Sequence, residues 1–100
     1  METLKEAENC LNLQEIREGI DWIDSRIVEL IARRSQYVME AAKFKKDEEA
    51  VKDAGRVEKV IQSKKELAEQ YGASPELIEK IYRMMIDFFI NEEMKKWKKN

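Results

Sequence analysis

A chain of 100 residues with 40% charged and 43% apolar residues, three glycines and one proline has room for one small, well-ordered helical domain. A net charge of −2 offers no footprint for nucleic acid, and the locally basic "KKWKK" near the C-terminus reads as a solvated helix end. One cysteine, Cys10, and no histidine exclude an internal disulfide and the usual zinc ligand sets.

Residues 1–12 are acidic and lack an apolar core, so no signal peptide is expected there. "MMIDFFI" is too short, and too interrupted by Asp87, to cross a bilayer. A cytoplasmic protein without metal or cofactor, bound to neither membrane nor nucleic acid, is the expectation. Helix one is predicted from Leu13 to about Lys45. Asn12 serves as N-cap, and Glu15 stands three residues on, as in a capping box. Gly19 weakens this helix without breaking it. Its apolar stripe runs through Ile20, Ile23, Ile27, Leu30, Ile31, Val38 and Ala41.

A charged loop, Lys46 to Lys52, follows and is expected to be mobile for want of apolar anchors. Helix two is predicted to start near Asp53. It carries Val57, Val60, Ile61, Lys64, Leu67, Ala68 and Tyr71 on one side, with Gly72 as its C′ residue. Ser74 and Pro75 give N-cap and first turn to helix three, which reaches about Lys98. No strand pattern and no internal repeat are present. The fold class is all-α, with three helices per chain and one of them very long.

Roughly 33 residues at about 1.5 Å each make helix one about 50 Å long. A compact domain of this size has a radius of gyration near 13 Å. Two shorter helices cannot cover such a rod, so an intertwined homodimer is expected, with the long helices packed together.

The stripe of helix one runs into cations. Arg34 follows Ile27 by seven residues, and Lys45 follows Val38 by seven. On a continuous helix the two share a face within about 20°, with Cα atoms roughly 16 Å apart. Uncompensated burial of such charges is costly, so an acidic ligand or an acidic side chain must meet them. Glu93 lies on the stripe of helix three, near Phe89, Ile90 and Trp97. Its apolar neighbours disfavour the ionised carboxyl, whereas Lys45 and Arg34 favour it. The plainer reading is an ion pair between Glu93 and one of these cations. Arg17 is a third cation beside the stripe, about 25 Å along the helix from Arg34. In an antiparallel dimer it reaches the partner's pocket. A cation-lined pocket without histidine has no nucleophile–base pair and suits a small dicarboxylate.

The segment "LQEIREGIDWIDSRIVELIARRSQYVMEAAKFK" resembles the first helix of the all-helical chorismate mutases. Those proteins carry I-R-x-x-I-D-x-I-D, then R-R, then a lysine eleven residues after the second arginine. The likeness continues through "VKDAGRV" and "FFINEEMKKW", covering about residues 13–98. "YVMEAAKFK" and the Ile90–Trp97 segment look closest to the isochorismate-pyruvate lyase branch.

The resemblance makes residues 13–100 the mutase-type domain and residues 1–12 an N-terminal extension. It implies that Arg34, and Arg17 from the neighbouring chain, bind the two carboxylates. Lys45 donates to a carboxylate and the ether oxygen, and Arg56 supports the carboxylate region. Asp53 sits near the ring hydroxyl, while Phe89 and Ile90 line the pocket. Glu93 faces the ether oxygen opposite Lys45, where many relatives carry glutamine. Val57 stands where mutases often place a glutamate. The implied activity is rearrangement of chorismate to prephenate, with loss of pyruvate from isochorismate as the alternative and a non-catalytic helical dimerisation module as the third reading. Neither reaction needs a cofactor or a metal.

Overall fold

In the computed structural model, residues 4–99 are described, and the side chains of 96–99 are not. The expectations for Trp97 and for most of the basic C-terminal run therefore lie outside the described residues. Everything regular among the described residues is helical. Three long helices, α1 (Leu13–Ala41), α3 (Ala54–Tyr71) and α4 (Pro75–Lys99), are joined by a one-turn helix α2 (Glu48–Lys52). None of these helices is long and apolar enough to cross a membrane.

Local chemistry sets the boundaries. Asn12 accepts the Glu15 amide at 2.9 Å, as an N-cap should. The Glu15 carboxylate does not complete the box on Asn12. It pairs with Lys5 at 2.8 Å, and this partner holds its carboxyl below the ordinary range. Asp53 Oδ1 accepts the Arg56 amide at 3.1 Å and so caps α3. Ser74 Oγ accepts the Leu77 amide at 3.2 Å ahead of α4. Gly72 takes φ 74°, the left-handed geometry that a side chain disfavours. The Ala73 amide then returns to the Ala68 carbonyl at 2.8 Å, closing a Schellman turn.

Two expectations are corrected. The long helix stops at Ala41 rather than at Lys45. A 3-10 turn, Ala42–Phe44, follows, and Lys45 itself is extended, with φ −90° and ψ 131°. The reason is Asp47, whose side chain accepts the Ala50 amide at 2.8 Å. An N-cap requires non-helical backbone, so the chain must leave one helix before it caps the next. Lys45 therefore does not continue the helical face of Arg34. The second correction is that the segment from Lys46 to Lys52 is no bare loop. It contains α2, and Val51 is its apolar anchor at 3% exposure.

The chain divides into two units, Met1–Tyr37 and Val38–Asn100, with α1 running through the division. In the second unit α3 and α2 both pack on α4. Its most buried residues are Val51, Ile61, Ala68 and Glu93. The expected inner side of α3 is narrower than its apolar pattern: Leu67 and Tyr71 are exposed. In the first unit, Arg26 stacks over the Trp22 ring, 4.9 Å from its centroid. Ile20, Ile23, Ile27, Leu30 and Ile31 are all exposed, so the α1 stripe is an apolar surface on the single chain.

Candidate active site

Glu93 is the buried charge that needs explaining. It lies on α4 with only 2% of its side chain exposed. A carboxylate there is stable only with a partner. Lys45 supplies it: Nζ donates to Oε2 at 2.9 Å. The sequence left two roles open for Glu93, and the plainer one, an ion pair with a cation of the stripe, is what the structure contains. The geometry follows from the end of α1. Because Lys45 is extended rather than helical, its side chain leaves the α1 spiral and reaches α4. An ammonium has three donors, and one is spent on Glu93. Lys45 keeps 28% of its side chain exposed.

Phe89 and Ile90 precede Glu93 on α4 by about one turn and are half-buried. Phe89 meets Phe88 edge-on, with centroids 5.1 Å apart. At the start of α3, Asp53, Arg56 and Val57 form a single turn. Asp53 is occupied by capping the Arg56 amide, Arg56 is exposed and Val57 is half-buried. Arg17 and Arg34 belong to α1 in the first unit, where Arg17 is exposed and Arg34 half-buried. The structure thus brings Lys45 directly onto Glu93, and keeps Asp53, Arg56 and Val57 together by local sequence. Among the described residues no cluster of three or more His, Cys, Asp or Glu side chains is arranged to hold a metal.

One constellation escaped the sequence reading. Arg83 on α4 forks onto Glu58 of α3, with Nη1 and Nη2 at 3.0 and 3.1 Å from its two carboxylate oxygens. Its Nε donates to Glu79 at 2.9 Å, and Lys65 approaches the other oxygen of Glu79 at 3.3 Å. Arg83 holds the Glu58 and Glu79 carboxyls below their ordinary range. Only the Glu79–Arg83 half, acid four residues before base on one helix, has a sequence signature.

The chain's relatives bear on what this arrangement does. The chorismate mutase type II family matches residues 16–94. An isochorismate pyruvate lyase of Pseudomonas aeruginosa is 35% identical over 95 residues, which covers 95% of this chain and 94% of that protein.

Proposed function

The chain belongs to the type II chorismate mutase family, and on that premise we propose that it is an isochorismate-pyruvate lyase. The observation that carries this reading is its end-to-end similarity to a protein named for that activity. Val57 supports it, since the mutases it resembles often have a glutamate there for the ring hydroxyl. In the reaction the ether C–O bond breaks as a ring hydrogen passes to the enolpyruvyl methylene. Pyruvate leaves, and the ring becomes the aromatic ring of salicylate. No covalent intermediate and no cofactor are needed. The enzyme has to hold a compact conformer and stabilise negative charge on the departing oxygen.

The roles follow the resemblance, residue by residue. Arg34 and a neighbouring chain's Arg17 take the two carboxylates, with Arg56 in support. Lys45 donates to a carboxylate and to the ether oxygen. Val57, Phe89 and Ile90 line the ring, and Asp53 meets its hydroxyl. Glu93 has two ways to act. Protonated, it donates to the ether oxygen from the side opposite Lys45. Ionised, it repels that oxygen and instead holds the ammonium of Lys45. The domain is residues 13–100, and the active species is an intertwined homodimer with mixed sites. The exposed isoleucines of α1 motivate the dimer: an apolar stripe of this length calls for a second copy.

The second reading is rearrangement of chorismate to prephenate. The family match itself, which is to the chorismate mutases, favours it. One experiment separates the readings: purified protein is given isochorismate and followed by salicylate fluorescence, then given chorismate and followed by prephenate formation. The lyase reading requires the larger kcat/KM with isochorismate. The reverse ratio makes the protein a mutase, and turnover of neither leaves the dimerisation module.

A further inference from the structure

The Arg83 fork joins α3, near the turn that carries Asp53, Arg56 and Val57, to α4, which carries Phe89, Ile90 and Glu93. Glu58 follows Arg56 and Val57 in the first turn of α3, the turn capped by Asp53. Arg83 shares α4 with Phe89, Ile90 and Glu93. A bidentate guanidinium–carboxylate pair fixes distance and angle together, which a lysine, acting as a point charge, does not. Glu79 constrains Arg83 further through Nε, and Lys65 on α3 holds Glu79 in turn. The first turn of α3 is thus pinned at its start by the Asp53 cap and on its flank by Arg83.

We infer that Arg83 is a positioning residue: through Glu58 it sets the turn carrying Asp53, Arg56 and Val57 against the α4 surface carrying Phe89, Ile90 and Glu93. It touches no substrate. The inference rests on the proposed function for its consequence in catalysis, and on the fork alone for its consequence in structure. Exposed ion pairs contribute little to stability, so a role confined to stability predicts a small effect on melting and none on the site. Positioning predicts more, because a small displacement of several binding groups weakens all of their interactions with the substrate at once.

The test compares wild type with Arg83→Met, Arg83→Lys and the milder Glu58→Gln, all well below their melting temperatures. Arg83→Met is expected to raise KM about tenfold while kcat stays within about threefold, the pattern of lost uniform binding. Arg83→Lys, which lacks the fork, should fail to rescue. Glu58→Gln should reproduce the defect, and the double variant Arg83→Met/Glu58→Gln should be no worse than Arg83→Met alone. The second readout is independent of activity. The Arg56 and Val57 amides bond to Asp53 at 3.1 and 3.0 Å, so their hydrogen exchange reports on this turn directly. They should exchange about tenfold faster in Arg83→Met. Unchanged exchange, or a lower melting temperature with unchanged KM, overturns the inference. A wild type that turns over neither substrate defeats the functional reading alone, and the exchange result still decides the positioning.

Discussion

Replacing Lys45 by methionine keeps most of the apolar stem and removes the charge, which isolates the ion pair with Glu93. Glu93 would then be a carboxylate at 2% exposure whose 2.9 Å partner has gone. Breaking a buried pair from one side costs about 3–5 kcal/mol, because the remaining charge is left without compensation. For a domain of this size that corresponds to roughly 15–30 °C in melting temperature. Glu93→Leu in the same background removes the stranded charge. A buried pair replaced on both sides by apolar groups is often neutral or stabilising, so Lys45→Met/Glu93→Leu should return to within about 1 kcal/mol of wild type. The assay is urea denaturation followed by far-ultraviolet circular dichroism, with all variants at one protein concentration so that any dependence of the midpoint on association is shared. A loss below about 1 kcal/mol for Lys45→Met at pH 7 would refute the reasoning. So would a double variant whose loss equals the sum of the two single losses.

Lys45→Ala, measured where it remains folded, should lower kcat at least about a hundredfold, the scale of removing one well-placed donor; a raised KM with normal kcat would show that Lys45 only binds a carboxylate. Light scattering should give twice the chain mass, and mixing Arg17→Ala with Arg34→Ala chains should restore about one good site in the mixed dimer; a fully active monomer would exclude shared sites. The carboxyls of Glu58 and Glu79 are lowered from 4.5 on folding, so their stabilisation is present above that value and lost as pH falls through their folded values. The gap in melting temperature between wild type and Arg83→Met should therefore be widest near neutral pH and narrow as pH falls below 4.5. Because Val51 anchors α2, amides of Val51 and Lys52 should be protected even without ligand, and a dicarboxylate should add protection mainly at Lys46–Glu48; uniformly unprotected amides from Lys46 to Lys52 would restore the mobile loop.

What the sequence disclosed was local. Asn12, Asp53, Gly72 and Ser74 each do their work within five residues, so residue type and spacing identify them. The α3 and α4 starts and the α3 stop therefore fall where the caps put them. The end of α1 was missed for the complementary reason. Nothing from Ala41 to Lys46 is a helix breaker, and the break is imposed from ahead by Asp47. The burial of Val51 had no signature either, because one valine among charges has no periodic neighbours. In the candidate site the sequence exposed a conflict, cations and a carboxyl on apolar stripes, and left two resolutions open, of which the ion pair is the one present. The ion pair between Glu93 and a cation was among the sequence's own readings; what it did not show is that Lys45 reaches Glu93 from extended backbone beyond the end of α1. Glu58 and Arg83 were still less visible: each looks like an ordinary solvated charge, and only the packing of α3 on α4 joins them.

The Lys45–Glu93 pair bears on both candidate reactions in the same way. Each breaks an ether C–O bond and builds negative charge on its oxygen, so each benefits from an ammonium aimed at that atom. A carboxylate bound to the same ammonium offsets part of that field. The offset disappears if the substrate's own carboxylate displaces Glu93 from Lys45. The buried carboxylate therefore competes with an anionic ligand for Lys45, whereas an uncharged ligand leaves the pair in place. Removing the carboxylate leaves the ammonium without its counter-ion, so Glu93→Gln should strengthen the binding of a dicarboxylate more than that of an uncharged analogue of the same shape.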